Sequence, residues 1–116
     1  MNAEKVSMSV RNPANGVAII DIDGEVSGFA EEVLMDAYTK AHDLGARSYI
    51  LNFTNLEYMN SSGIGLLVTL LIRVQRQKQR LLAYGLSPHY TQIFDLTRLN
   101  EAISIFNTEA EAIAAA

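Results

Sequence analysis

The sequence predicts a single α/β domain built on a mixed, mostly parallel β-sheet, with an N-terminal β-hairpin and about four helices. Three observations lead there. Two strand-like segments flank Asn15-Gly16, a strong signal for a short hairpin connection. Two further short apolar runs, residues 48–53 (SYILNF) and 81–84, have the composition of buried parallel strands. Segments with helical periodicity separate those runs, and strands alternating with helices imply parallel pairing through right-handed crossovers. With 116 residues the chain has the length of one domain, read here as residues 1–116.

Each element has a local reason. Residues 6–10 (VSMSV) alternate apolar and polar side chains, the mark of a half-buried strand. Residues 17–22 are rich in β-branched side chains and stop at Asp23-Gly24, which gives the second arm of the hairpin. Residues 29–44 place Val33, Leu34, Ala37, Tyr38, Ala41 and Leu44 on one helical face, with Gly45 as a left-handed stop. After the strand at 48–53, residues 55–60 read as a connection, and a second helix begins at Ser61 or Ser62 and runs to about Gln77. One of those serines is expected to be its N-cap. Ser87-Pro88 opens a third helix with Ile93, Phe94 and Leu96 on its apolar side. Residues 103–106 form a last short strand, and the Thr108–Glu111 spacing is that of a capping box opening a final helix.

Composition narrows the function. Hydrophobic residues make up 49% of the chain, enough for one core, and charged residues only 19%, too few for a disordered tail-like chain. The absence of cysteine removes disulfides, thiolate metal sites and thiol nucleophiles. His42 and His89 have no metal-ligand spacing, so neither a metal nor a cofactor is expected. A net charge of −4 disfavours nucleic acid and anionic membranes as partners. The longest apolar stretch, residues 64–72, is far short of the ~20 residues of a membrane span. A soluble, cytoplasmic protein, monomeric or weakly dimeric, is the expectation.

No enzyme motif is complete. Gly63 and Gly65 follow a strand, but Val68 stands where a dinucleotide fingerprint needs a small residue. The two glycines are instead expected to let the helix approach the sheet. No phosphate-loop or nucleophile-elbow sequence occurs, and Asp21 and Asp23 find no catalytic company. The chain is read as a non-enzyme.

The informative segment is residues 58–67 (YMNSSGIGLL), in which two hydroxyls open a very apolar helix. A helix N-terminus offers free N–H groups and partial positive charge, so a serine exposed there suits reversible phosphorylation. With Ile64 taken as the inward direction, Leu67, Val68 and Leu71 point to the core. Leu66 and Leu70 then point outward and are expected to form a partner surface beside the serines. Arg73, Arg76, Lys78 and Arg80 are read as a solvated helix end, with docking of an acidic partner as the second reading.

Gly24-Glu25-Val26, the strand SYILNF, the segment MNSSGIG (residues 59–65), Ser87-Pro88 and the IFDL run at 93–96 together resemble the STAS domain. Within it, the sequence is most similar to the stand-alone anti-sigma factor antagonists. The resemblance spans nearly the whole chain. It implies partner switching. The unphosphorylated antagonist binds an anti-sigma factor that is itself a serine kinase, and so frees the sigma factor. Phosphorylation abolishes the complex, and a PPM-type phosphatase restores it. It places the phosphorylated serine at Ser61 and the partner contacts at Ser27, Asn60, Ser61, Ser62 and Gly63, beside Leu66 and Leu70. Two positions depart from the family pattern. Asn60 and Ser27 stand where acids are usual, which lowers the negative charge beside the phosphate. The alternatives are an accessory STAS subunit of a membrane lipid-transport ABC complex and a non-switching signalling scaffold.

Overall fold

A computed structural model describes residues 5–116; residues 1–4 of the expected domain lie outside the described residues. Strands β1 (Val6–Ala14) and β2 (Val17–Val26) form the hairpin. Helix α1 (Glu31–Asp43), strand β3 (Ser48–Met59), helix α2 (Ser61–Arg76), strand β4 (Arg80–Tyr84), helix α3 (Pro88–Leu96), strand β5 (Ser104–Phe106) and helix α4 (Glu109–Ala115) follow. The sheet order is β1-β2-β3-β4-β5, antiparallel for the first pair and parallel thereafter.

The hairpin closes through Asn15-Gly16, with Gly16 at φ +78. The register slips between Arg11 and Ala14, and Asn12 Nδ2 bridges the irregularity by donating to Ala14 O at 3.0 Å and Val17 O at 2.7 Å.

Period-two alternation sorts the strands into two cores. Ala18, Ile20, Ile22, Tyr49, Leu51, Phe53, Leu81 and Ala83 point to one face, where they pack with Leu34, Ala41, Leu67, Leu70, Val74 and Phe94 from α1, α2 and α3. Val17, Ile19, Ile50, Leu82 and Tyr84 point to the other face, against Ala112 and Ile113 of α4. The sheet is thus the middle of three layers.

Several expectations need correction. Residues 55–59 are not a connection, because β3 continues to Met59 along β2, pairing Asp23 with Asn55 and Val26 with Met59 across two irregularities. The β3–β4 pairing ends at Asn52 with Tyr84, so the extension has one neighbour and keeps polar, exposed residues such as Thr54, Asn55 and Glu57. A 3-10 turn, Gly28–Ala30, precedes α1, so Phe29 lies outside that helix. Leu44 and Leu96 are exposed at 53% and 73%: Leu44 is the C-cap just past α1, and Leu96 lies about 200° around α3 from the buried Phe94. The predicted caps at Ser87 and Thr108 are in place, accepting from Tyr90 N and Glu111 N. Glu111 Oε1 accepts from Asn107 N at 3.1 Å, one residue earlier than an ideal capping box.

Candidate functional site

The expected site residues converge where the parallel strands β2 and β3 end together. Val26 is in register with Met59, and Asn60 N donates to Val26 O at 3.2 Å. Tyr90 of α3 holds the same spot from below. Its hydroxyl accepts from Met59 N at 2.8 Å and donates to Met59 O at 3.3 Å. Neither the strand extension nor this tyrosine anchor was anticipated. Residues 59 and 90 are too far apart in sequence for any local pattern to connect them.

The chain then turns into α2. The N-cap is Asn60, not Ser61 or Ser62. Asn60 has extended backbone angles, and its Oδ1 accepts from Gly63 N at 2.9 Å. The amide side chain satisfies the geometry that a serine was expected to satisfy, and the helix begins at Ser61, within the expected range. Both serines are therefore first-turn residues, exposed and not committed to capping.

Gly63 seats the helix on the sheet. A Cβ there would lie 2.2 Å from Val26 O and 2.9 Å from Met59 Cγ. Gly65 was expected to act in the same way and does not: nothing approaches a Cβ placed there within 4 Å, and the residue is exposed. The two glycines are two residues apart, about 200° around the helix, so only one of them meets the sheet.

The orientation of α2 corrects the expected partner surface. Leu66 is 8% and Leu70 0% exposed, and both belong to the core with Gly63, Leu67, Leu71 and Val74. Val68, assigned to the core, is 38% exposed. The reference direction was wrong by roughly 90° around the helix axis. Ile64 is only half-buried, and the side that meets the sheet is fixed by the close approach of Gly63 to Val26. Leu66 and Leu70 are therefore not surface contacts. The outward line of α2 instead runs from Ser61 through Gly65 and Val68 to Ile72, which is 44% exposed. Ser61 thus heads a stripe with apolar side chains about two and three turns along.

The end of β2 contributes the other side. Ser27 Oγ accepts from Phe29 N at 3.3 Å and caps the 3-10 turn, which leaves Phe29 65% exposed. A Cβ on Gly28 would lie 3.5 Å from Ser62 Cβ, so this turn packs against the first turn of α2. The structure thus brings together Ser27, Asn60, Ser61, Ser62 and Gly63. Phe29, Val68 and Ile72 replace Leu66 and Leu70 as neighbouring apolar surface. Phe29 was legible only as a helix residue, because no local signal distinguishes a capped 3-10 turn from a first helical turn.

The electrostatics suit an anion. The first turn of α2 holds no acidic residue and its cap is a neutral amide, so no charge within that turn offsets the positive end of the helix dipole. Burial raises the pKa of the Tyr49 hydroxyl in the main core, and the other groups with displaced pKa values lie on the other sheet face. Arg11 Nε and Nη2 meet Asp21 at 2.6 and 2.8 Å, and Arg11 Nη2 and Nη1 meet Glu109 at 2.9 and 3.2 Å. Asn52 Nδ2 adds a bond to Asp21 at 2.7 Å, and Tyr84 OH donates to Glu109 at 2.7 Å. The arginine holds both carboxyls below their ordinary range, and burial with Glu109 pushes Tyr84 up to about 12. This cluster pins α4 to β1, β2 and β4. Among the described residues no three His, Asp or Glu side chains converge into a metal-binding group.

Residues 10–112 match the family model of the STAS domain. The chain is similar to the anti-sigma-B factor antagonist of Staphylococcus aureus, with 26% identity over 86 residues, covering 74% of this chain and 80% of that protein. Among solved structures it resembles the anti-sigma factor antagonist SpoIIAA in its unphosphorylated form, with a TM-score of 0.73 and 23% identity over 93% of this chain and 96% of the other. The Bacillus cell fate determinant SpoIIAA in its phosphorylated form gives a TM-score of 0.72 and 24% identity, covering 93% and 97%.

Proposed function

Because the chain belongs to the STAS domain family, we propose that it is an anti-sigma factor antagonist that works by partner switching, with Ser61 as the switch. The observation behind this reading is that Asn60 caps α2, leaving Ser61 exposed at the head of the Val68–Ile72 stripe. Likeness to antagonists that include an unphosphorylated and a phosphorylated solved form supports it.

In this reading the unmodified surface of Ser27, Phe29, Asn60, Ser61, Ser62 and the outer face of α2 docks on an anti-sigma factor with serine kinase activity. The kinase transfers the γ-phosphoryl of ATP to Ser61 Oγ. The hydroxyl proton leaves, the new O–P bond forms and ADP departs. A PPM-type phosphatase hydrolyses that bond and restores the hydroxyl. The phosphate adds about −1.5 to −2 charge. At the N-terminus of α2 the fold tolerates it, because the dipole favours an anion. At the partner's surface it is an unpaired buried charge, which costs several kcal/mol and ends the complex.

The test is phosphorylation and binding with a purified anti-sigma kinase from the same genome. Intact-mass and peptide mapping should place one phosphate on Ser61. Ser61→Ala should bind the kinase constitutively, and Ser61→Asp should bind it at least about tenfold more weakly with an unchanged circular dichroism spectrum. A phosphate on Ser62 removes the residue assignment. Equal affinity of both forms removes the switch and leaves the transporter-subunit or scaffold reading.

A further inference from the structure

The four cations around the end of α2 separate in the fold. Arg80 Nη1 donates to Ala115 O at 2.6 Å and ties β4 to α4. Lys78 takes the left-handed conformation just past the helix, at φ +57. Arg73 and Arg76 remain, and neither takes part in the ion pairs among the described residues, which involve Arg11 and Arg98.

These two arginines and Gln77 form one wall of a groove of about 340 Å³ between the C-terminal parts of α1 and α2. Tyr38 and His42 form the other wall. That wall is braced from behind. The Tyr38 and His42 rings stack at 6.0 Å with 28° between their planes, and Tyr38 packs on Tyr49 at 5.0 Å. Tyr38 OH donates to Gln79 Oε1 at 3.4 Å, Gln79 Nε2 donates to Ala46 O at 3.3 Å, and His42 Nδ1 lies 3.3 Å from Tyr49 OH. The groove's uncommitted charge is therefore two guanidinium groups, with no carboxylate in the lining to neutralise them.

Two helix C-termini end nearby, and each presents about half a negative charge. Two full positive charges outweigh them locally, in a chain whose net charge is −4. Guanidinium groups one helical turn apart present forked N–H donors that match phosphoryl oxygens. The volume is at the low end of the ~300–1,000 Å³ typical of small-ligand pockets, which favours a small molecule over a macromolecular surface.

We infer that the groove of Tyr38, His42, Arg73, Arg76 and Gln77 is a binding site for a small molecule carrying phosphoryl groups. It is separate from the serine site, because Ser61 and Arg76 lie at opposite ends of α2, about 22 Å apart at 1.5 Å per residue. The site does not depend on Ser61 being phosphorylated or on any sigma-factor pathway.

The experiment is a nitrogen-15 amide titration of the full chain at low ionic strength, with sodium pyrophosphate as probe. Citrate is the carboxylate arm, and sodium chloride the ionic-strength control. Pyrophosphate should give saturable shifts centred on the five lining residues. Arg73→Gln and Arg76→Gln should each weaken binding about tenfold, the loss of one charge-assisted pair. Arg98→Gln, at an exposed ion pair elsewhere, should leave the affinity unchanged, and melting curves should show each variant folded. Linear shifts that follow ionic strength, or equal weakening by all three variants, overturn the site. Saturation by citrate but not by pyrophosphate overturns the phosphoryl assignment.

Discussion

Gly63 and Gly65 carry the same absent side chain on the same helix and should respond to alanine with opposite signs. At Gly63 the added methyl meets Val26 O at 2.2 Å, a backbone atom held in the β2–β3 pairing, so either α2 or the strand end must move. The clash outweighs the roughly 1 kcal/mol of helix propensity gained, and Gly63→Ala should lose ~1–3 kcal/mol. At Gly65 the methyl enters open space, so Gly65→Ala should gain up to about 1 kcal/mol. Urea unfolding of the two variants beside the parent checks both signs. A destabilised Gly65→Ala or a stabilised Gly63→Ala would contradict the seating of α2.

At the scale of an element, α2 divides into a buried stripe and an exposed one. Leu70→Ala should cost ~2–5 kcal/mol, because Leu70 is completely buried in the main core. Ile72→Ser, at a 44% exposed site, should change stability by no more than ~0.5 kcal/mol and, on the proposed reading, reduce kinase binding instead. Paired denaturation and calorimetry separate the two effects. Helix α4 depends on different forces. It has seven residues and one fully buried side chain, Ala112, so the bonds from Arg11 and Tyr84 to Glu109 and from Arg80 to Ala115 O hold much of its position. Asp21 and Glu109 both have folded pKa values below their unfolded ones, chiefly through hydrogen bonds to Arg11. A depressed carboxyl adds stability above its unfolded pKa of about 4, and that stability disappears as pH falls through the folded value. The side chains are 25–42% exposed, so each pair contributes about 1 kcal/mol or less. Arg11→Met should therefore be less stable than the parent at neutral pH, and the difference should shrink as the pH falls below about 4. Thermal melts across pH 2–7 measure the convergence. A difference independent of pH would assign the effect to packing of the arginine stem.

For the whole molecule, the net charge of −4 governs long-range behaviour. The basic groups are dispersed: Arg80 faces α4, Arg11 is enclosed by two carboxylates, and Arg73 and Arg76 line one groove. No extended positive face exists among them to release counterions from a polyanion. DNA and anionic vesicles should therefore show no saturable binding at physiological salt, by fluorescence anisotropy and by vesicle sedimentation. Strong binding that weakens steeply with added salt would show that the groove arginines act as a macromolecular patch. Among the described residues no helix is long and apolar enough to cross a membrane.

The order of elements, the hairpin, the parallel sheet and the caps at Ser87 and Thr108 could be read from residue order, because each depends on neighbours within a few positions. The hydroxyl-bearing start of α2 was equally visible as a cluster. Which residue of that cluster capped the helix was decided by where β3 ended, and β3 ran on to Met59 because β2 was there to pair with it. The rotation of α2 was decided by the contact of Gly63 with Val26, residues 37 positions apart. The polar residues Ser61, Ser62, Thr69, Arg73 and Arg76 share one side of α2, so its period marks the outward face; Ile64 lies near the border between the two sides, and taking it as the inward direction put Leu66 and Leu70 on the wrong one. The Tyr90 anchor and the groove between α1 and α2 likewise join distant segments. Local chemistry specifies which elements form and where they begin. Faces, anchors and pockets follow from contacts between segments far apart in the chain, which exist only once the sheet has assembled.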